Sequence, residues 1–395
     1  MIDPLLATRE HFPILGKTTY LISNSLGAVP RDVAPALHSY YETWADRGVR
    51  AWEETWWNLA AELGDLISPL IGAGMGEVVF LPSVTVAHEV IFSAIDHRGS
   101  RPKIVTDAMH FPSILYLLEG RQAEGAEIVV IPSEDGITID AGRFADAIDE
   151  RTAFVCLSHV LFKSAFIQDL ATIVAKARSV GAASIVDGYQ AVGVIEVDVE
   201  ALGVDVYIGG CLKWLCGGPG NAFLWVAPGS RERLAPKFTG WMSHADPFAF
   251  DPRLQRRSDA WRYFLGTPAI PALYAAQPGL QIIGEVGIGA IRSKSIRQTA
   301  RLLELALEAG LTCRSPTNPS QRGGTIAIDV PHGYEVSKSL KAREILCDFR
   351  PGVGIRLSPH FYTAEDELDA AIEAIREILD RGVWREHSGM RSTVT

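Results

Sequence analysis

VDVYIGGCLKWLCGGPGNAFLWVAP, residues 204–228, places one lysine between two apolar, β-branched runs and beside a cluster of glycines. Runs of this kind read as strands buried on both faces. The gap between them is too short for a helical crossover, so the two strands are predicted to pair antiparallel or to lie apart in the sheet. Upstream, EVVFL (77–81), KIVTD (103–107), EIVVI (127–131), TAFVCLS (152–158) and ASIVDG (183–188) have the same texture. Stretches long enough for a helix, such as DLATIVAKARSVG at 169–181, separate them. Strands alternating with helices make an α/β fold: a mostly parallel seven-stranded sheet with helices on both faces.

After about residue 265 the texture changes. QTARLLELALEAG reads as a helix, GGTIAIDV as a strand, EVSKSLKAREILCDF as a helix and GIRLSP as a strand. A last helix is predicted after Thr363, with Asp366 set for a capping box and Leu368, Ala371, Ile372, Ile375 and Leu379 on one face. The expected organisation is an N-terminal segment (1–45), a large domain (46–265) and a smaller α+β C-terminal domain (266–395). RDVAPALHSYYETWAD, in the first segment, is expected to pack on the small domain.

Composition narrows the function. The 395 residues are 47% apolar and 21% charged, with a formal net charge of -10 and no acidic or basic block. That balance argues against nucleic acid or an anionic membrane as the main partner and favours a small molecule. No stretch approaches the ~20 apolar residues of a membrane span, and the N-terminus lacks a secretory pattern, so a cytoplasmic protein is expected. The cysteines at 156, 211, 216, 313 and 347 are scattered and odd in number, which suits reduced thiols; no second Cys/His pair completes a metal site with Cys211 and Cys216.

Open α/β sheets bind ligands where strands end. Asp187 ends one strand and Lys213 follows another. Neither GxxxxGK[ST] nor a post-strand GxGxxG is present, so a nucleotide loop is not expected. Lys213 alone could be a surface lysine lying over Trp214, and Asp187 a turn former. Apolar surroundings, to which Trp214 would add, lower a lysine's pKa and make it a nucleophile toward an aldehyde. A carboxylate and a lysine at two strand ends are what pyridoxal phosphate (PLP) requires.

These stretches resemble the class V branch of fold-type I PLP enzymes, and kynureninases in particular. YLISNSLGAVP (20–30), RGVRAW (47–52), FPS (111–113), GWMSHADPFAF (240–250), RYFLGTPAI (262–270) and DFRPGVGIRLSPHFYT (348–363) extend the likeness in order along the chain. The resemblance implies that Lys213 binds the cofactor as a Schiff base and shuttles protons, that Asp187 and Gln190 contact the ring, and that Phe111 stacks on it. It gives Val84 and Thr85 to the phosphate at a helix N-terminus, where Thr85 could equally be a plain cap. Trp241 and Thr267 would reach the phosphate from a partner subunit, which implies a homodimer; packing and turn roles compete for them. Arg356 would pair with an amino-acid carboxylate, for which its planar fork is suited, against a structural salt bridge. Trp52, Asn24 and Ser25 would line the substrate pocket.

The implied reaction is hydrolytic cleavage of the Cβ–Cγ bond of L-kynurenine or a related aryl-keto amino acid. Three positions depart from the family pattern: Leu212 where a tyrosine is usual, Ile114 where an aspartate is usual, and Gln190 where a histidine is usual. Two alternatives follow: another class V reaction (C–S lyase, epimerase or aminotransferase), or a non-catalytic binding protein on the same fold. A desulfurase needs a mobile cysteine, and Cys347, expected in an apolar helix, is a poor one.

Overall fold

The computed structural model describes residues 3–97 and 99–389; the ends of the first and last predicted domain ranges therefore lie outside the described residues. The main sheet has seven strands, in the order Val78–Leu81, Ala222–Val226, Val206–Gly210, Ala183–Asp187, Thr152–Ser158, Lys103–Asp107 and Glu127–Ile131. Only Ala222–Val226 runs against its neighbours; every other pair is parallel. Gly210 pairs directly with Ala222, so residues 211–221 form the connection of an antiparallel hairpin at the carboxyl end of the sheet. All seven predicted strands are present, and the opening stretch takes the antiparallel alternative.

Strands buried on every residue, such as Ala183–Asp187 and Val206–Gly210, need cover on both faces. Helices Val84–Phe92, Pro112–Ala123, Ala141–Asp146 and Leu170–Ser179 fall between successive strands and supply it. A second, four-stranded sheet orders Asp348–Arg350, Gly354–Leu357, Ile326–Asp329 and Thr312–Cys313, all antiparallel. Helices Ile288–Glu308, Gly333–Ala342 and Glu365–Arg381 pack with it around a separate core that includes Leu302, Ile328, Leu340, Ile355 and Ile375.

Several local expectations are corrected. The segment read as one helix over 335–349 is helical only to Ala342; Ile345–Leu346 and Asp348–Arg350 are strands. Glu344, with φ 60, breaks the helix in the left-handed region. Cys347 therefore sits between two strands, fully buried, with its thiol pushed up to about 12 by desolvation. The last helix begins one residue late: the Glu367 carboxylate accepts the Ala364 N–H at 2.7 Å, while the Thr363 hydroxyl is taken by the His360 N–H at 2.9 Å.

Helix Val33–Arg47 packs on helix Ile270–Val286, with Tyr40 and Tyr274 rings 5.7 Å apart. The latter helix buries Leu273, Ala276, Leu280 and Ile283 in the larger core, so the change of core comes along Ile288–Glu308 and not at residue 265. Only the start of the chain reaches the second core. Thr19–Tyr20 pairs in parallel with Ile345–Leu346, Asp3 meets the buried Lys294 at 2.7 Å and Arg9 meets Glu367 at 2.7 Å.

Candidate active site

The carboxyl end of the main sheet opens into a cavity of about 420 Å3, within the range typical of small-molecule sites. Nine of the predicted residues line it: Asn24, Ser25, Val84, Thr85, Phe111, Asp187, Gln190, Lys213 and Arg356. They come from widely separated parts of the chain. The sheet brings Asp187 and Lys213 together, because Ala183–Asp187 and Val206–Gly210 are adjacent parallel strands that end at the same edge.

Lys213 reaches into the cavity from the hairpin connection. Burial lowers its pKa to about 8; Asp187 opposes the fall, while Arg356 and Arg350 add to it. At neutral pH such an amine has a substantial unprotonated fraction and can attack a carbonyl carbon. Trp214 is not the aromatic beside it: the indole is buried in a small cluster with Val160, Val194 and Ile195 and donates its Nε1–H to the Gln190 Oε1 at 3.0 Å. The Lys213 Nζ instead lies 4.2 Å from the centroid of Tyr189 and 5.7 Å from that of Phe111. Tyr189 was not singled out in the sequence.

Asp187 is buried at the cavity wall and accepts the Tyr189 N–H at 2.8 Å. Phe111 is held from behind by His110, whose Nδ1 accepts the Phe111 N–H at 2.8 Å. That bond leaves His110 Nε2 carrying the proton, 3.8 Å from Cys156 Sγ, which makes the His88–His110–Cys156 cluster a poor metal site. At the opposite end, Ser83 caps helix Val84–Phe92 by accepting the Val86 N–H at 3.2 Å. Val84 and Thr85, in the first turn of this helix, line the cavity, and the amides of a helix's first turn lack intrahelical partners and favour negative charge.

Arg356 lies on strand Gly354–Leu357 and is almost fully buried. Its Nε and Nη2 donate to the Asp348 carboxylate at 3.3 and 2.7 Å, and its Nη1 donates to the Phe162 carbonyl. Arg350, which also lines the cavity, shares Asp348 at 3.0 Å. One carboxylate thus serves two guanidinium groups, leaving a net cation facing the cavity. The structural salt bridge weighed for Arg356 from sequence is present, and the same side chain also lines the cavity. Arg350 and Ser83 were missed, although Ser83 directly precedes Val84 and Arg350 lies six residues before Arg356 in the same quoted stretch.

Trp52, Trp241 and Thr267 do not line this cavity within one chain. Trp52 stacks among Trp56 and Trp57, at 5.0 and 4.5 Å. Trp241 belongs to the same aromatic surface, with Trp57 at 5.8 Å and Phe250 at 6.1 Å. Thr267 borders a smaller hollow that shares Pro82 and Gly220 with the main cavity. The departures Leu212 and Ile114 both face the cavity. Gln190 lines it too, but its amide is spent on structure: Nε2 donates to the Asn24 carbonyl at 2.9 Å while Oε1 holds Trp214.

A pyridoxal phosphate fits this donor set. The amine of Lys213, the carboxylate of Asp187 and the first turn of helix Val84–Phe92 all line one cavity. The Asn24 side chain is buried with neither its Oδ1 nor its Nδ2 bonded to protein, and such orphaned groups are costly unless a ligand satisfies them. The family model for aminotransferase class V matches residues 19–352. A kynureninase from Pseudomonas fluorescens is 31% identical over 402 residues, covering 97% of this chain and 94% of its own. One from Burkholderia pseudomallei (strain K96243) is 31% identical over 396 residues with the same coverage. Among solved structures, a C-DES variant with glycine covalently linked to its PLP cofactor superposes with a TM-score of 0.86 at 20% identity, covering 93% of this chain and 99% of that one. The apo cysteine desulfurase of Thermococcus onnurineus NA1 gives 0.84 at 21%, covering 96% and 99%; at such identities these two establish the fold alone. The chain belongs to the class-V aminotransferase family, as a kynureninase-like protein of the fold-type I architecture whose cofactor is pyridoxal 5'-phosphate.

Proposed function

We propose that this protein hydrolyses the Cβ–Cγ bond of L-kynurenine or a related aryl-keto amino acid, releasing an anthranilate-type acid and L-alanine. The observation that carries the reading is the composition of the cavity at the carboxyl end of the main sheet. A desolvated amine, a carboxylate and a buried arginine face a wall of Phe111, Ile114, Val160, Phe162 and Leu212 that suits an aryl group. The two kynureninase relatives, aligned over nearly the whole chain, support it.

Bound pyridoxal phosphate supplies an electron sink that stabilises negative charge on carbon next to the amine it holds. In this reading Arg356 grips the substrate α-carboxylate through the N–H groups that Asp348 leaves free, and the Asp348 pair keeps the guanidinium plane fixed. Lys213 would hold the cofactor and, through its Nζ, would accept the α-proton and return it later. Asp187, buried at the cavity wall, would hold the cofactor ring through its carboxyl group. The apolar wall positions the aryl ketone and limits water to the molecule consumed.

Trp241 and Thr267 are assigned to the partner subunit's site in a homodimer. Support comes from the exposed aromatic surface of Trp241, Phe248 and Phe250 together with Tyr41 and Trp44 on helix Val33–Arg47, a helix with no buried residue; large exposed apolar patches mark interaction surfaces. A cytoplasmic setting is in keeping with the unpaired cysteines, and no described helix is long and apolar enough to cross a membrane.

The test is incubation of PLP-loaded protein with L-kynurenine and 3-hydroxykynurenine, following anthranilates by chromatography with fluorescence. Absence of product from a protein that shows the visible band of lysine-bound cofactor would refute the substrate assignment while leaving the cofactor. A second reading, β-elimination from a cysteine-like substrate, draws on Leu212 and Ile114, which leave the cavity wall without the hydroxyl and carboxyl that the family's hydrolases present there. Release of sulfide and pyruvate identifies it. A cysteine-carried persulfide has no support: no cysteine lines the cavity among the described residues.

A further inference from the structure

We propose that Tyr189 is a positioning residue for the catalytic lysine, its ring face serving as the seat on which the Lys213 ammonium rests. The proposal rests on the reading of Lys213 as the cofactor lysine but concerns the protein before any cofactor is bound. Four observations carry it. The Nζ lies 4.2 Å from the Tyr189 centroid, well inside the ~6 Å within which an ammonium is attracted to a ring face. The more distant Phe111, at 5.7 Å and 44% exposed, is the weaker partner. The Asp187 carboxylate fixes the ring's backbone through the Tyr189 N–H. And the facing strand end has been cleared for the ring: a Cβ on Gly210 would lie 2.6 Å from Tyr189 Cε2 and 3.0 Å from Cζ, so no larger residue fits there.

The seat matters because the other charges around Nζ do not agree. Asp187 and Asp348 favour the ammonium, Arg356 and Arg350 disfavour it, and burial disfavours it most. The phenol, partly buried with its own pKa raised by desolvation, adds no charge of its own. A neutral aromatic face stabilises the cation without neutralising it, so the lysine stays where it can release and regain a proton. In the reaction proposed above, the same face would steady the Lys213 amine while it holds a proton. The Tyr189 hydroxyl has no protein partner among the described residues and is not needed for this role.

The measurement is the pH profile of Lys213 acylation by an amine-selective reagent in cofactor-free protein, read by peptide mass spectrometry. Tyr189→Phe keeps the ring face and is expected to retain the wild-type midpoint. Tyr189→Leu removes it and is expected to lower the midpoint by about 0.5 to 1 pH unit. Gly210→Ala, which displaces the ring without changing it, is expected to shift the midpoint in the same direction. Circular dichroism checks that each variant is folded. An unchanged or raised midpoint in the Leu variant, or a Phe variant that behaves like Leu, overturns the proposal. Neither cofactor nor substrate enters the experiment, so its failure is distinct from failure of the kynurenine assay.

Discussion

Gly27→Ala offers a test of how the lysine is positioned, since Gly27 lies directly against the backbone of the Lys213 turn. A Cβ built on it falls 2.2 Å from the Lys213 carbonyl oxygen and 2.9 Å from Cys216 Cα. Its N–H also donates to the Leu212 carbonyl at 2.9 Å. Ordinary contact would need the two backbones to separate by more than 1 Å, and neither is the movable end of a flexible side chain. Overpacking of that kind costs about 1–3 kcal/mol, and weakening the hydrogen bond adds about 0.5–1.5 kcal/mol. A total of about 2–4 kcal/mol is therefore expected. With about 2.1 cal/mol/K of unfolding entropy per residue over 395 residues, that corresponds to a fall in Tm of about 2–5 °C. Because Lys213 moves with its carbonyl, PLP capture should weaken at least about tenfold as well. Calorimetry at one scan rate, combined with a PLP titration followed in the visible, measures both. Gly16→Ala, where nothing lies within 4 Å of the added carbon, is the control. A Gly27→Ala protein that matches the Gly16→Ala control in Tm and in PLP capture would refute the steric argument.

Other outcomes are expected. Lys213→Ala should show no visible band on PLP titration, and a band identical to wild type would remove the central assignment. The rate of PLP capture by cofactor-free protein should rise with pH and level off above about 8, because the neutral amine is the nucleophile and burial holds its pKa near that value; a rise continuing toward 10.5 would mean that the lysine is not desolvated. For stability the sign is the reverse of a salt-bridged lysine. Between about 8 and 10.5 the unfolded chain binds more protons at this site, so its unfavourable contribution fades as pH rises through that window. Arg356→Gln should raise KM for an amino-acid substrate about 10- to 100-fold, and an unchanged KM would place the carboxylate elsewhere. Asp348→Asn should destabilise the protein by about 3–5 kcal/mol in chemical denaturation, since two arginines lose their buried counter-charge.

Although Glu127–Ile131, expected to be buried on both faces, is instead an edge strand with only Ile131 buried, the sheet was legible because its strands are short apolar runs, a pattern that depends on local sequence alone. The same holds for Lys213 and Asp187, which sit at strand ends that the pattern marks. Tyr189 escaped because nothing local distinguishes a tyrosine in a turn from a packing residue; its meaning comes from the neighbouring strand, which delivers Nζ to its ring. The signal that existed was GG at 209–210, glycines ending a strand, which implies that something large lies close by. Trp214 was misread for the same reason: adjacency in sequence places it next to Lys213, but successive residues at a strand end point to different sides, and the indole turns inward to Gln190. The helix predicted over 335–349 fails at Glu344 because a good helix-forming composition was overridden by the pairing of Ile345–Leu346 with the start of the chain.

That pairing has a consequence for the order of events during synthesis. Thr19–Tyr20 meets Ile345–Leu346, Ile22 bridges to Ser358, and the Ser23 hydroxyl lies 2.8 Å from that of Tyr362. The same short segment then supplies Asn24 to the cavity and presses Gly27 on the lysine turn. During synthesis residues 19–23 wait for partners at 345–362, whereas the last strand of the seven-stranded sheet ends at Val226, more than a hundred residues before those partners. The site is thus closed by two segments more than three hundred residues apart, and the nascent large core must remain folded with an unfinished floor until residues 345–362 have been translated.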